Sequence, residues 1–116
     1  MKVLLIAVAG ALGALSRYGI ATWIGTRSFP WSTLAINLAG SLVLGFVAHR
    51  AVTRGWSETT VLPITVGFLG AFTTFSTFSN ETMNLLRTDQ AGLALAYVSA
   101  SVIGGVLAAA AGYALA

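Results

Sequence analysis

Residues 60–86 read TVLPITVGFLGAFTTFSTFSNETMNLL, and this stretch decides the fold. Its first half is largely apolar, whereas residues 73–82 hold six serine or threonine hydroxyls around two phenylalanines. A straight helix of this length would extend about 40 Å, but the hydrocarbon core of a bilayer is only about 30 Å thick. The excess predicts a helix that crosses a membrane and is broken near the midplane, after Gly67 and Gly70.

The composition of the whole chain also predicts a membrane protein. Of its 116 residues, 57% are hydrophobic and 8% are charged, whereas a soluble domain carries about 25% charged residues. Four segments are long enough to span a bilayer as helices. They are Lys2–Ile24, Trp31–His49, Thr60–Leu86 and Ala91–Leu115. We therefore expect an all-α integral membrane protein, with residues 1–116 forming a single four-helix transmembrane domain.

The positive charges give this chain almost no preferred orientation in a membrane. Four spans place both termini on one side, so the two sides carry similar numbers of positive residues: Lys2, Arg50 and Arg54 against Arg27, Arg87 and Arg17. The positive-inside rule orients a membrane protein by an excess of positive residues on one side, so it predicts almost no preference for this chain. Copies inserted in both orientations can pair about a twofold axis, and four helices leave little room for a pore within one chain. The small net charge of +3, spread along the chain, also argues against nucleic-acid binding.

The hydroxyl cluster at residues 73–82 has two interpretations. A helix that breaks inside a membrane frees backbone carbonyls, which bind cations in other discontinuous membrane helices. Alternatively, the hydroxyls donate hydrogen bonds to carbonyls of their own helix and only assist packing. The density of the cluster favours the first interpretation.

Two polar residues lie inside the first and second spans. Asn37 either forms an interhelical hydrogen bond that holds the bundle or lines a pathway for a polar solute, and the residue pattern leaves both open. Arg17 is the only charge well inside the first span, and extension of its side chain to the membrane surface is the favoured reading. An arginine near an entrance also attracts anions.

Phe75 and Phe78 lie three residues apart, on one face of a helical turn. Packing is the ordinary role of phenylalanine, but ring edges carry positive partial charge. Ring edges beside amide and hydroxyl donors can solvate a small, strongly hydrated anion without a fixed positive charge that would retain it. Tyr97 and Ser101, four apart on the fourth span, can add hydroxyls to the same track, although packing is the default reading for both.

Three motifs resemble the Fluc family of bacterial fluoride channels, also called CrcB proteins. They are GALGALSRY at residues 10–18, STLAINLAGS at residues 32–41 and GFLGAFTTFSTF at residues 67–78. The third motif, with Asn37 upstream, is the most specific. Departures from the family pattern include Phe72, which is bulkier than the family's usual residue and lies beside the expected break.

The resemblance implies an antiparallel, dual-topology homodimer in the bacterial cytoplasmic (inner) membrane, with two pores through which fluoride leaves the cell passively. It implies no enzymatic activity. In the pore, Phe75 and Phe78 would present ring edges and Asn37 an amide donor, with further polar positions at Ser76, Thr77, Tyr97 and Ser101. The backbone carbonyls of Gly70 and Thr73 would hold a structural sodium ion at the dimer interface. Arg17 matches an arginine of the family's first helix, and Glu81 matches an acidic residue in the vestibule of the family's pore.

A small proton-coupled multidrug exporter is the alternative function, because such proteins also have four helices and little orientation bias. Export of cationic drugs needs a carboxylate embedded in the membrane. The first span contains no acidic residue, and the chain's acids are Glu58, Glu81 and Asp89. The sequence therefore favours the channel.

Overall fold

The computed structural model describes residues 1–116, and its regular elements are all helices. The elements are α1 (Lys2–Ile24), α2 (Trp31–Arg54), α3 (Glu58–Leu62), a π-helical segment (Pro63–Leu69), α4 (Gly70–Phe72), α5 (Phe75–Arg87) and α6 (Ala91–Leu115). Four stretches are long and apolar enough to cross a membrane: α1, α2, α6 and the composite stretch Glu58–Arg87, called the third span below. The predicted all-α architecture with four membrane-crossing helices is confirmed, and the chain is a multi-pass membrane protein.

The second helix is longer than the sequence predicts, ending at Arg54 rather than at His49. The predicted link from residue 50 contains no residue that stops a helix before Gly55. Gly55 adopts the left-handed conformation, with φ 62°, and the Trp56 amide donates to Ala51 O at 2.9 Å. This is a Schellman termination, which satisfies carbonyls at the end of a helix.

The third span begins at Glu58 rather than Thr60 and ends at Arg87 rather than Leu86. Ser57 precedes it in an extended conformation. Its carbonyl accepts the Thr60 amide at 3.0 Å, so the turn starts earlier than hydropathy suggests. An acidic residue in the first turn also interacts favourably with the helix dipole.

The helices form a thin slab in two halves. One half packs α1 against the π-helical segment and α4, and the other packs α2 against α6. The α2–α6 contact is close because a Cβ atom at Gly45 would overlap the Ala109 carbonyl, and one at Gly112 would overlap the Leu42 carbonyl. The protomer measures 49 × 29 × 20 Å, and only 14 of its 116 residues are buried. Most of its apolar side chains therefore point outward.

Within the third span, two residues leave the helical conformation. Thr73 has φ −83° and ψ 156°, and Thr74 has φ −151° and ψ 120°. Both are extended, so α4 stops at Phe72 and α5 starts at Phe75. This interruption faces the middle of α2, where Gly40 leaves room for the Thr73 methyl group.

Candidate functional site

Asn37 of α2 pairs with both backbone groups of Thr74 at the interruption. Its Oδ1 accepts the Thr74 amide at 2.9 Å, and its Nδ2 donates to Thr74 O at 3.1 Å. The interhelical hydrogen bond considered for Asn37 is therefore present. An amide nitrogen carries two hydrogens, so one N–H of Asn37 remains for another acceptor.

Thr74 also caps α5. Its Oγ1 accepts the Thr77 amide at 3.2 Å and donates to Thr77 Oγ1 at 3.1 Å, while Ser76 Oγ lies 3.5 Å from it. A threonine in this position satisfies an amide at the start of a helix that otherwise has no partner. Ser76 and Thr77 thus lie at the cap of α5, and neither lines the groove described next.

The remaining hydroxyls of the cluster follow the packing interpretation. Each bonds back to a carbonyl four residues earlier: Thr73, Ser79 and Thr82 donate to Leu69 O, Phe75 O and Phe78 O at 2.8, 3.0 and 2.8 Å. The cluster therefore divides evenly, since three of its hydroxyls gather at the cap and three serve their own helix.

A groove of about 250 Å³ runs beside the interruption between α2, α5 and α6. Its lining consists of Asn37, Ser41, Thr74, Phe75, Phe78, Ser101 and Val102. The Phe75 and Phe78 rings lie 5.8 Å apart between centroids and are tilted by 45°. The Ser101 hydroxyl is buried and has no hydrogen-bond partner. The groove thus brings together four of the predicted pathway residues and contains no charged side chain.

Tyr97 backs this groove rather than lining it. The side chain is completely buried, with its ring 5.1 Å from that of Phe78 and 5.5 Å from that of Phe29. Its hydroxyl donates to Glu81 Oε1 at 3.3 Å. The default packing role is therefore present, and Tyr97 connects the aromatic wall of the groove to the carboxylate of Glu81.

Arg17 lies on the other side of Thr74, in a second cavity. Tyr18, Thr33, Thr74 and Thr77 also line this cavity. The Arg17 Nε atom is buried without a hydrogen-bond partner, and the protomer's one ion pair joins Lys2 to Glu58 elsewhere. Arg17 therefore places positive charge beside the interruption but outside the groove, and Thr74 is shared by both cavities.

The carbonyls of Gly70 and Thr73 lack their ordinary helical donors. In a continuous helix they would accept the amides of Thr74 and Thr77. Those amides instead donate to Asn37 Oδ1 and to Thr74 Oγ1. No three histidine, cysteine or acidic side chains lie close enough together to hold a metal ion. The interruption thus offers backbone oxygens, which are suitable ligands for a hard cation.

Sequence reasoning missed two polar residues on α2. Ser41 lines the groove, and Thr33 is buried and lines the Arg17 cavity. With Asn37 they form a stripe at intervals of four residues, the spacing of one helix face. A search for polar residues at this spacing around Asn37 would have found both. A polar cleft at the loop end was also missed: it is lined by Glu81, Arg27, Asn84, Thr88 and Gln90, among others.

The fold is that of a small multi-pass membrane protein with four membrane-crossing helices. Its polar groups converge on the interruption of the third span, so the candidate site lies among the helices. A family model described as CrcB-like protein, camphor resistance, matches residues 4–113. The chain belongs to this CrcB family.

Named relatives support this assignment. The chain is 50% identical over 115 residues to a protein of Hahella chejuensis, an alignment covering 95% of this chain and 90% of that protein. It is 47% identical over 107 residues to a Symbiobacterium thermophilum protein, covering 89% and 87% respectively. It is 42% identical over 117 residues to a Thermus thermophilus protein, covering 98% and 92%. These relatives are named fluoride-specific ion channel FluC, or FluC 2 in the second case.

Proposed function

We propose that this protein is a fluoride-selective ion channel that lets fluoride leave the bacterial cell passively, down its electrochemical gradient. The observation that carries the proposal is the groove in which Asn37, Phe75, Phe78 and Ser101 converge without a charged side chain. Family membership and the names of the relatives support it. Hydrogen fluoride is a weak acid that crosses membranes in its neutral form and ionises inside, so a leak for the anion reduces fluoride toxicity in the cytoplasm.

The groove provides the kind of donors that a small anion requires. Asn37 retains one free N–H, and the Ser101 hydroxyl has no other partner. The Phe75 and Phe78 rings can direct their positive edges to the same space. A pore must replace the water that an ion loses, yet it must bind weakly enough for release. Neutral donors satisfy both requirements, whereas a fixed cation in the groove would hold the anion.

The open groove favours an antiparallel homodimer as the working unit. In the protomer Phe75 on the groove wall is 79% exposed, so lipid would meet the opening of this polar-lined groove. Polar groups facing hydrocarbon without partners are costly, and a second copy laid over this face would cover them. A slab 20 Å thick is about two helix diameters across, which leaves little room for a pore within one chain. The similar charge on both ends allows opposite orientations in the cytoplasmic membrane, with two pores per dimer.

The interruption at Thr73 and Thr74 is proposed to lie near the membrane midplane and to hold a structural sodium ion. The fit rests on the Gly70 and Thr73 carbonyls, which have lost their amide donors to Asn37 and Thr74. A twofold partner would supply the same two oxygens. A bound cation would neutralise the partial negative charge of these carbonyls and stabilise the dimer.

Five further residues support the pathway from outside the groove. Tyr97 holds the ring of Phe78, with which it packs at 5.1 Å between centroids. Glu81 accepts a hydrogen bond from the Tyr97 hydroxyl and also lines the polar cleft at the loop end, where it would act as a vestibule acid. Arg17 attracts anions toward the interruption, and Thr77 with Ser76 keeps the start of α5 in place.

The multidrug exporter gains no support from the relatives, which carry channel names. The groove also lacks the carboxylate that proton-coupled export of cations needs. Glu81 accepts a hydrogen bond from Tyr97 outside the groove. The geometry therefore favours an anion over a cationic drug.

Fluoride efflux from liposomes tests the proposal. The purified protein is reconstituted into vesicles loaded with fluoride or with chloride, and the released ion is followed with the matching electrode. Rapid loss of fluoride with retention of chloride is the expected result, and protein-free vesicles are the control. Retention of fluoride by vesicles that contain folded dimers would contradict the proposal.

A further inference from the structure

We infer that Asn37 is a positioning residue that holds the third span open at Thr74, in addition to any contact that it makes with an anion. Its two bonds with Thr74 are the only side-chain-to-backbone hydrogen bonds that join different spans. The other side-chain-to-backbone bonds are local, within four residues of each other in sequence. The inference deepens the proposed function, because it connects the anion groove to the carbonyls proposed to bind a cation.

The Thr74 amide has two possible acceptors, one on its own span and one on α2. In a continuous α-helix the Thr74 amide would donate to Gly70 O, but here it donates to Asn37 Oδ1 at 2.9 Å. An amide without a partner is costly within a membrane. If Asn37 is removed, Gly70 O is the nearest alternative acceptor along the chain. That bond would close the helix and occupy the carbonyl, so Asn37 keeps Gly70 O free.

A second contact between α2 and the interruption supports this role. Gly40 lies three residues after Asn37, on the same side of α2, and a Cβ atom there would overlap the Thr73 methyl group. Helix α2 therefore contacts both extended residues: it binds the backbone of Thr74 and leaves space for the side chain of Thr73. The extended conformation of Thr73 and Thr74 is therefore stabilised by contacts from α2, outside their own span.

Threonine-selective ¹³C and ¹⁵N labelling allows a direct test by NMR of the reconstituted protein, with the Thr74 signal assigned through Thr74→Ser. In Asn37→Ala, the Thr74 amide should exchange roughly fivefold to tenfold faster, the factor expected for a lost hydrogen bond, or the Thr73 and Thr74 carbon shifts should move to helical values. At acidic pH, with its carboxyl protonated, Asn37→Asp keeps an oxygen that accepts the Thr74 amide and an O–H that donates to Thr74 O, so its exchange and shifts should stay close to those of the unmodified protein under the same conditions. Phe75→Ile, which changes the groove but not these bonds, is the matched control.

Thermal unfolding in sodium and in a bulky organic cation gives a second readout. The sodium-dependent rise in unfolding temperature should disappear in Asn37→Ala and persist in Asn37→Asp and Phe75→Ile. An Asn37→Ala protein with unchanged Thr74 exchange and extended carbon shifts would overturn the inference, as would an Asn37→Asp protein that behaves like Asn37→Ala when its carboxyl is protonated. Absence of a sodium effect in the unmodified protein would count only against the cation site, and absence of fluoride flux only against the channel, because the Thr74 signals report on neither.

Discussion

Replacement of the two groove phenylalanines by isoleucine separates the role of the rings in ion flow from their role in packing. Phe75 is 79% exposed in the protomer, but its ring pairs with that of Phe78 at 5.8 Å between centroids, so Phe75→Ile should cost about 0.5–1 kcal/mol. Phe78 packs against Tyr97 with 5.1 Å between centroids. Loss of such an aromatic pair costs about 0.5–1.5 kcal/mol, and the smaller side chain adds to this, so Phe78→Ile should cost about 1–2 kcal/mol.

Fluoride flow should fall in both variants despite their different stabilities. If one ring edge stabilises the anion in the pore by about 1 kcal/mol, its removal slows flow roughly fivefold. The assay compares initial fluoride efflux from liposomes with thermal unfolding of the same preparations. Met83→Ile, at an exposed position of α5, is the matched control. If folded Phe75→Ile dimers release fluoride as fast as the Met83→Ile control, the ring-edge reasoning is refuted. If only Phe78→Ile loses efflux, packing alone is responsible for the loss.

Three further predictions concern other parts of the molecule. Tyr97→Phe retains the buried ring but removes the hydroxyl bonded to Glu81, so we expect a loss of about 1 kcal/mol in unfolding measurements and slower fluoride efflux; unchanged values would exclude a role for that bond. Gly45→Val forces side-chain atoms into the Ala109 carbonyl and should destabilise the α2–α6 contact by about 1–3 kcal/mol, whereas Gly19→Val, with open space around the site, should unfold like the parent. Exchange of sodium for a bulky organic cation should lower the unfolding temperature and the dimer fraction in size-exclusion chromatography, and a dimer indifferent to this exchange would argue against a structural sodium ion.

The hydroxyl cluster shows how far a local pattern can predict a site. Its density predicted a role beyond packing, yet three of its six hydroxyls bond to their own helix. The sequence shows only that a serine or threonine is present, and not whether its hydroxyl faces a groove or bonds to a carbonyl four residues earlier. Which role it takes depends on its rotamer and on the neighbouring helix. Ser101 lines the groove without a partner only because α6 packs beside α2 there.

The sequence alone determined the membrane environment and the number of spans, and it predicted a break within the third span. Those features follow from hydropathy, span length and local residue type, which act within one stretch of chain. Only the tertiary structure decided that Asn37 takes the Thr74 amide, that Tyr97 stands behind Phe78, and that Arg17 lies in a separate cavity from the groove. Such contacts join residues far apart in sequence, and they depend on how closely two helices approach. Glycines permit the close approach here: Gly40 faces the Thr73 side chain and Gly45 faces the Ala109 carbonyl. No local sequence pattern identifies these partners.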